Sequence, residues 1–377
     1  MSQDSRQDLH HGADRSSEPV RPVGPVGSVG SVELVDWDFA AATARRLVPR
    51  GPRVSRAEAA DAVRELRAAA AASAQHVADT SHLHAPASAE PARVVDRPGW
   101  IDANVESLRG MIAPVTDKLL AARPSGVGPT AAAVGGKVTG GETGALMAFL
   151  ASKVLGQYDL APGGTPRLLL VAPNVVEVER ELDVDPRDFR MWVCLHEETH
   201  RVQFTAVPWL RQHLLDRTRE LSVELVPDAD QLAARLAQMV RNLPDVLREG
   251  GNGLSDLVTT PQQREEIARI TAVMSLLEGH ADVIMDDVGP AVIPTVDRIR
   301  TTFDQRRGGR SSLDRVIRRL LGLEAKMRQY SEGAAFVRGV VDTVGMDGFN
   351  QVWTSPETLP TPAEIGDHRL WLRRVHG

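Results

Sequence analysis

Apolar and polar positions along this chain recur mostly with the 3.6-residue period of amphipathic helices. The start, Met1 to about Ser31, lacks that period; it is rich in Ser, Asp, Pro and Gly and reads as a disordered tail over residues 1–32. Helical character begins near Val35. Ser55-Arg-Ala-Glu58 has capping-box spacing and predicts the start of an Ala-rich helix running toward Val77. Arg97-Pro-Gly-Trp100 opens another helix through Leu120, with Val105, Leu108, Ile112 and Val115 on or near one face. Pro166 to Pro173 is a short apolar run between turn residues, the clearest strand signal; it fits an edge strand or a central one equally. Phe189, Trp192, Val193, His196, His200, Gln203 and Val207 then share one helical stripe, with Asp185-Pro186 as its start and Pro208 as its stop. Ile267, Ile270, Met274, Leu277, Glu278, Ala281, Asp282 and Met285 form a later stripe. Asp228 to about Leu243 reads as amphipathic helix and Gly250-Gly-Asn-Gly-Leu-Ser255 as a flexible loop. The end is helical to about Val344, then Pro-rich and irregular.

The first of the two late stripes carries chemistry. His196-Glu197-Glu198-Thr199-His200 places two imidazoles four residues apart, one above the other on a helix face. That spacing suits one Zn²⁺, with Glu197 as general base on a water at the metal. Glu198 points away from this face and is expected only to be solvated. A tetrahedral catalytic zinc needs a third protein ligand, and Glu278 is the best candidate: an acid on an apolar stripe requires a partner. Asp282, one turn on, is placed to accept the spare N–H of His196 or His200. His280 faces away from the stripe and is the runner-up ligand. Tyr330 is a candidate donor to a developing oxyanion.

Composition removes several alternatives. The chain has 377 residues, 42% hydrophobic and 25% charged, and a net charge of −6 that offers no general attraction to nucleic acid or anionic membranes. Cys194 is the single cysteine, which leaves no intrachain disulfide and no thiolate cluster. Neither a secretory signal nor a membrane-spanning run is visible, so the cytoplasm is the expected compartment. Gly135-Gly-Lys-Val138 is not a phosphate loop, because Val138 stands where Ser or Thr is required; close helix packing through small residues, or a loop, accounts for it better. The arginines from Arg298 to Arg319 could bind phosphate or an acidic substrate, but interspersed Asp297, Asp304 and Asp314 favour a solvated helix face.

HExxH followed on a later helix by Glu278-x-x-x-Asp282 resembles the gluzincin arrangement of zincin metalloproteases. That resemblance implies a zincin-like fold, Glu278 as the third zinc ligand and Asp282 as the residue orienting a histidine. More closely, the chain resembles an actinobacterial family of zinc-dependent metalloproteases or hydrolases, some labelled as associated with biosynthesis of a deazaflavin coenzyme. The resembling segments are Val154-Leu-Gly-Gln-Tyr-Asp159, His196 to Phe204, Glu278-Gly-His-Ala-Asp282 through Pro290, Leu323-Glu-Ala-Lys-Met-Arg-Gln-Tyr330, Val344-Gly-Met346 and Trp353 to Pro360.

The expected fold is therefore α+β and predominantly helical, zincin-like with a small sheet. A helical part over 33–128 and a metal-binding core over 129–377 would form one compact unit. The expected function is a zinc-dependent hydrolase acting on a peptide or amide. Two rival classes are a non-enzymatic zincin whose metal only fastens helices, and an amidohydrolase for a small metabolite. A protein side chain capping the metal would favour the first, and a closed pocket instead of a groove the second.

Overall fold

Asp36, Ser55, Asp185 and Thr260 each turn a side-chain oxygen onto free backbone N–H groups of the helix that follows, and these caps set where four helices begin. The computed structural model describes residues 34–121, 129–226, 259–308 and 323–377, with side chains over 34–121, 134–226, 259–303 and 331–377. In order come α1 (Trp37–Leu47), α2 (Arg56–Ser81), β1 (Arg93–Val95), α3 (Arg97–Ala121) and α4 (Pro129–Ala151). Then follow β2 (Gly156–Asp159), β3 (Arg167–Val171), α5 (Ala172–Leu182), α6 (Pro186–Ala206) and α7 (Leu210–Leu225). The next described range holds α8 (Pro261–Val292) and α9 (Val296–Gly308), and the last opens with α10 (Leu323–Phe349). Two 3-10 turns, Asn350–Trp353 and Pro356–Thr358, lead to α11 (Pro362–Gly366) and α12 (His368–Val375). The fold is α+β and mostly helical. The expected helix from Asp228, the Gly250 loop, the side chains of Arg306 to Arg319 and the start of the chain lie outside the described residues.

The strand expected at Pro166 to Pro173 is β3, and it is the centre of the sheet, ordered β1-β3-β2. Its Leu168, Leu169, Leu170 and Val171 are all buried, which is why they read as a continuous apolar run with no alternation. β1 pairs parallel to β3 with Val94 opposite Leu170. β2 pairs antiparallel with Gln157 opposite Leu169, and it is the edge strand on the side of the later helices. The two-residue strand period divides β2 between its neighbours. Gln157 bonds Trp100 and Asn104 of α3, and Asp159 bonds Ser107 of the same helix. Gly156 and Tyr158 meet α6 instead, at Glu197 and Phe204.

Helix α6 is buried nearly all round. It rests on α2 through Phe189, Val193 and Cys194 against Leu66, Ala69, Ala70 and Val77, and it touches β2, β3 and α8 on other faces. Cys194 is a core residue, and burial raises its thiol pKa far above the ordinary range. Helix α8 crosses α10 at Gly279 and Gly333; a Cβ on Gly279 would collide with the backbone of Gly333 and Ala334, and one on Gly333 with the backbone of Ser275. Only glycine permits that approach, and it fixes the height of the neighbouring Glu278. The glycines of α4 do similar work: a Cβ at Gly140 or Gly144 would lie 2.6 or 2.5 Å from a carbonyl oxygen of Asp36 or Ala40. The Gly135 to Gly144 stretch is thus helix packed closely on α1, one of the two expected alternatives.

The C-terminal end is more regular than its Pro content suggests. α10 breaks at Gly345, which takes φ +73, close to the expected limit at Val344. The chain then continues in short turns whose Trp353, Leu359, Ile365 and Trp371 enter a core shared with α7, α8 and α10. Among the described residues, no helix is long and apolar enough to cross a membrane.

Candidate metal centre

Asp185 caps α6 through the N–H groups of Arg187 and Asp188, and Pro186 supplies the fixed φ of the first turn. The helix then runs unbroken to Ala206, so His196 and His200 keep the register that four-residue spacing implies. Their Nε2 atoms lie 3.2 Å apart, and each is 3.6 Å from Oε2 of Glu278 on α8. The ligand atoms of these three residues all lie within 4.8 Å of one another. Zinc bonds of about 2.0–2.2 Å in tetrahedral geometry put neighbouring ligand atoms about 3.4 Å apart. The triangle matches that edge length, so the donor set fits the ion in size as well as in kind. Among the described residues, no fourth His, Cys, Asp or Glu joins the three.

The protonation of these groups also fits a cation. Burial opposes a charged His200, but the nearby Glu278 carboxylate, with Glu197 and Gln203, outweighs it and lifts the pKa to about 9. Burial pushes Glu197 up to about 7, with His200 pulling down and Glu278 adding to the rise. Two buried carboxylates beside two imidazoles hold a proton where no metal supplies positive charge. Glu197 is 7% exposed and shares cavity walls with all three ligand candidates. Its side chain lies against Gly156 of β2, where an added Cβ would sit 2.5 Å from Glu197 Cγ. A bare backbone at 156 is therefore what leaves room for the candidate base.

Gln203, one turn past His200, was visible only as a member of the stripe. Its Oε1 lies 3.0 Å from His200 Nδ1, and its Nε2 donates to Leu277 O and approaches His280 Nδ1, both at 2.9 Å. The Leu277 carbonyl can only accept, which fixes which end of the amide is nitrogen. Hence Gln203 Oε1 accepts the Nδ1–H of His200 and leaves the Nε2 lone pair for a metal. His280 Nδ1 must then accept, so its proton sits on Nε2, an atom buried with no partner among the described residues. His280 is fully buried, stacked on Phe349 at 5.2 Å, and burial, then His200, lowers its pKa to about 3. The runner-up ligand thus stands behind Gln203, as a neutral imidazole in an aromatic wall.

Three other expectations change. Glu198 is not merely solvated: it is 1% exposed and paired with Arg201, whose Nε donates to it at 2.8 Å. Asp282 lines the same cavity as His196 and Glu278, but it does not take the outer nitrogen of His200, which lies 3.0 Å from Gln203 Oε1. Arg300 is not part of a simple solvated face either; it pairs with Asp286 at 2.6 Å and lines the cavity beside the histidines. The Tyr330 side chain lies outside the described residues.

Two cavities meet at His196, Glu197 and Glu278. One, of about 390 Å³, is lined by Lys153 to Gly156, Trp192, Asp282, Arg300 and Phe303. The other, of about 480 Å³, is lined by Gly156 to Tyr158, Leu160, His200, Phe204, Leu214, Met274 and Leu277. Strand β2 borders both, so the space beside the three ligand candidates is a groove running along an edge strand.

The family model for zincin-like metallopeptidases matches residues 35–372 of this chain. The chain belongs to that family. Its match takes in α6, α8 and every element that touches the His196, His200 and Glu278 triangle. A solved structure from Chloroflexus aurantiacus, described as a "putative hydrolase with a novel fold", is similar with a TM-score of 0.65 and 31% identity. The similarity covers 91% of this chain and 99% of that one. No curated protein matches. Membership of a metallopeptidase family implies a metal cofactor, and the His-His-Glu group is able to hold one.

Proposed function

We propose that this zincin-like protein is a zinc-dependent peptidase with His196, His200 and Glu278 as metal ligands and Glu197 as general base. The observation that carries the reading is the ligand triangle of zinc-sized edges lying in a groove along β2, with Glu197 beside it. A bound zinc supplies Lewis-acid polarisation of the substrate carbonyl and lowers the pKa of the attacking water. Everything else falls to the chain. Gln203 holds His200 in the tautomer that presents Nε2, and Glu278 reaches in from α8 to close the triangle. Glu197, buried beside the triangle, is placed to take a proton from water and return it to the leaving nitrogen.

Strand β2 is at the sheet edge, and among the described residues no strand pairs with its outer side. An extended peptide can add to that edge by backbone hydrogen bonds, with its scissile carbonyl delivered over Glu197. The two-sided groove favours a peptide over a small metabolite, which would fit a closed pocket. The absence of a fourth metal-binding side chain among the described residues favours catalysis over a purely structural metal. The test is hydrolysis of a mixed peptide pool by zinc-loaded protein, followed by mass spectrometry. Cleavage by wild type but not by Glu197→Gln at equal zinc content supports the proposal; equal cleavage by both overturns it.

A further inference from the structure

The two cavities that meet at the candidate metal centre differ in chemistry. On the His200 side the wall is apolar: Tyr158 stacks on Phe204 at 5.5 Å, and Leu160, Leu214, Met274 and Leu277 complete it. Apart from the metal-centre residues, no ionisable side chain among the described residues other than the Tyr158 phenol lines that cavity. On the His196 side, Trp192 and Phe303 meet edge to face at 4.9 Å, and Lys153 and Arg300 join them.

The donors of this second wall are underused. Arg300 spends Nη2 on Asp286 at 2.6 Å and on the Asp282 carbonyl at 3.4 Å, yet its Nε is buried with no acceptor among the described residues. Trp192 Nε1 is likewise buried without an acceptor among the described residues. The ammonium of Lys153 lies 5.9 Å from the Phe149 ring and has no carboxylate partner among the described residues. Buried N–H groups without acceptors are uncommon in folded proteins. The residues that carry two of them, Trp192 and Arg300, line this cavity with Lys153, so cationic and N–H donor side chains gather at this end of the groove. The acids that line the cavity have other roles: Glu197 and Glu278 belong to the metal centre, and Asp282 is already engaged.

Strand direction says which end of a peptide arrives there. Lys153 and Leu155 border only the donor-rich cavity, and Gln157, Tyr158 and Leu160 only the apolar one. Antiparallel pairing is the more stable and more frequent mode of strand addition. A peptide antiparallel to β2 enters the apolar cavity with its N-terminal side and reaches Lys153 with its C-terminal side.

We propose that the Lys153 and Arg300 cavity binds a carboxylate on the C-terminal side of the scissile bond. The substrates are then peptides with an apolar residue before the cut and a carboxylate just after it, supplied by the chain terminus or by an Asp or Glu side chain. This rests on the peptidase reading, but its test does not need turnover.

The test measures binding of matched peptides to zinc-loaded Glu197→Gln protein by calorimetry. One pair differs only in a free or amidated C-terminus, and a second pair, amidated, differs only in Asp or Asn downstream of the apolar residue. A charge-assisted contact to a carboxylate predicts about tenfold or greater preference for the acid member of at least one pair. The pair that shows it identifies the source of the carboxylate. Lys153 is exposed, so Lys153→Met is expected to fold normally and to bring the acid peptide down to the affinity of its neutral match; Lys153→Glu reverses the order. Equal affinity within both pairs, no binding of any peptide, or a preference untouched by Lys153→Glu overturns the proposal. A preference that persists while wild type cleaves no peptide leaves the carboxylate subsite standing and removes the peptidase reading instead.

Discussion

Gln203→Leu isolates the part of the centre that is least evident from the sequence. Leucine keeps the volume roughly and removes an acceptor and two donors at a position that is 0% exposed. Two buried partners are stranded, His200 Nδ1–H and His280 Nδ1, while Leu277 O keeps its place in the helix ladder. Each stranded buried polar group costs about 1–3 kcal/mol, so the metal-free variant should lose on the order of 2–6 kcal/mol. Without Gln203, His200 can move its proton to Nε2, the atom that must bind metal. Loss of such an orienting partner typically lowers metal affinity about 10–100-fold. The control is His280→Leu. It deletes an imidazole whose Nε2 has no partner among the described residues and leaves the bond from His200 to Gln203 intact, so zinc affinity should change less than about threefold. Competition with a chromophoric chelator gives the zinc dissociation constants, and urea unfolding without metal gives the stabilities. A folded Gln203→Leu protein that binds zinc as wild type does, or a His280→Leu protein that binds it worse than Gln203→Leu, refutes the tautomer assignment.

Other outcomes follow from the same geometry. Gly156→Ala should abolish peptide turnover while zinc content stays near one per chain, because its Cβ would stand 2.5 Å from Glu197 Cγ; undiminished turnover counts against Glu197 as the base. Asp282→Ala should weaken zinc about tenfold through His196, measured by the same chelator competition, and an unchanged constant removes Asp282 from the centre. In the metal-free protein His200 and Glu197 hold protons more tightly than in the unfolded chain, at about 9 and about 7. Their contribution to stability is therefore full at acid pH and is lost as pH rises, through about 7 for Glu197 and about 9 for His200. Zinc competes with those protons, so the rise in Tm on adding zinc should grow from about pH 6 to about pH 9; a zinc-induced shift that is flat or shrinks over that range contradicts the assignment.

The grouping of His196, His200 and Glu278 was legible because helix periodicity alone brings His196 above His200, and because an acid at Glu278 on an apolar stripe needs a partner. The limits of α6 were legible too, since Asp185, Pro186 and Pro208 act locally on the backbone. What the sequence hid depends on contacts between distant segments. β2 is only four residues long and takes its place from pairing with β3 and from the bare backbone at Gly156, not from any alternation of its own. Gln203 looked like one more polar residue on a stripe, and its role appears only when α8 brings Leu277 and His280 to it. Glu198 was misread for a related reason: a helix wheel gives direction but not what lies there, and Arg201 and neighbouring elements bury it. Gly279 in Glu278-Gly-His280 carried a signal in retrospect, a glycine inside a helical pattern, whose cause is the crossing with Gly333.

The central claim is that His196, His200 and Glu278 together hold one catalytic zinc. Anomalous diffraction at wavelengths above and below the zinc absorption edge, from crystals of zinc-loaded protein, tests it most directly. The account predicts a single strong zinc peak within about 2.0–2.2 Å of His196 Nε2, His200 Nε2 and a Glu278 carboxylate oxygen, with one position open to the groove. A peak bound by His280, a peak closed by a fourth protein side chain, or no peak at this triangle would contradict it.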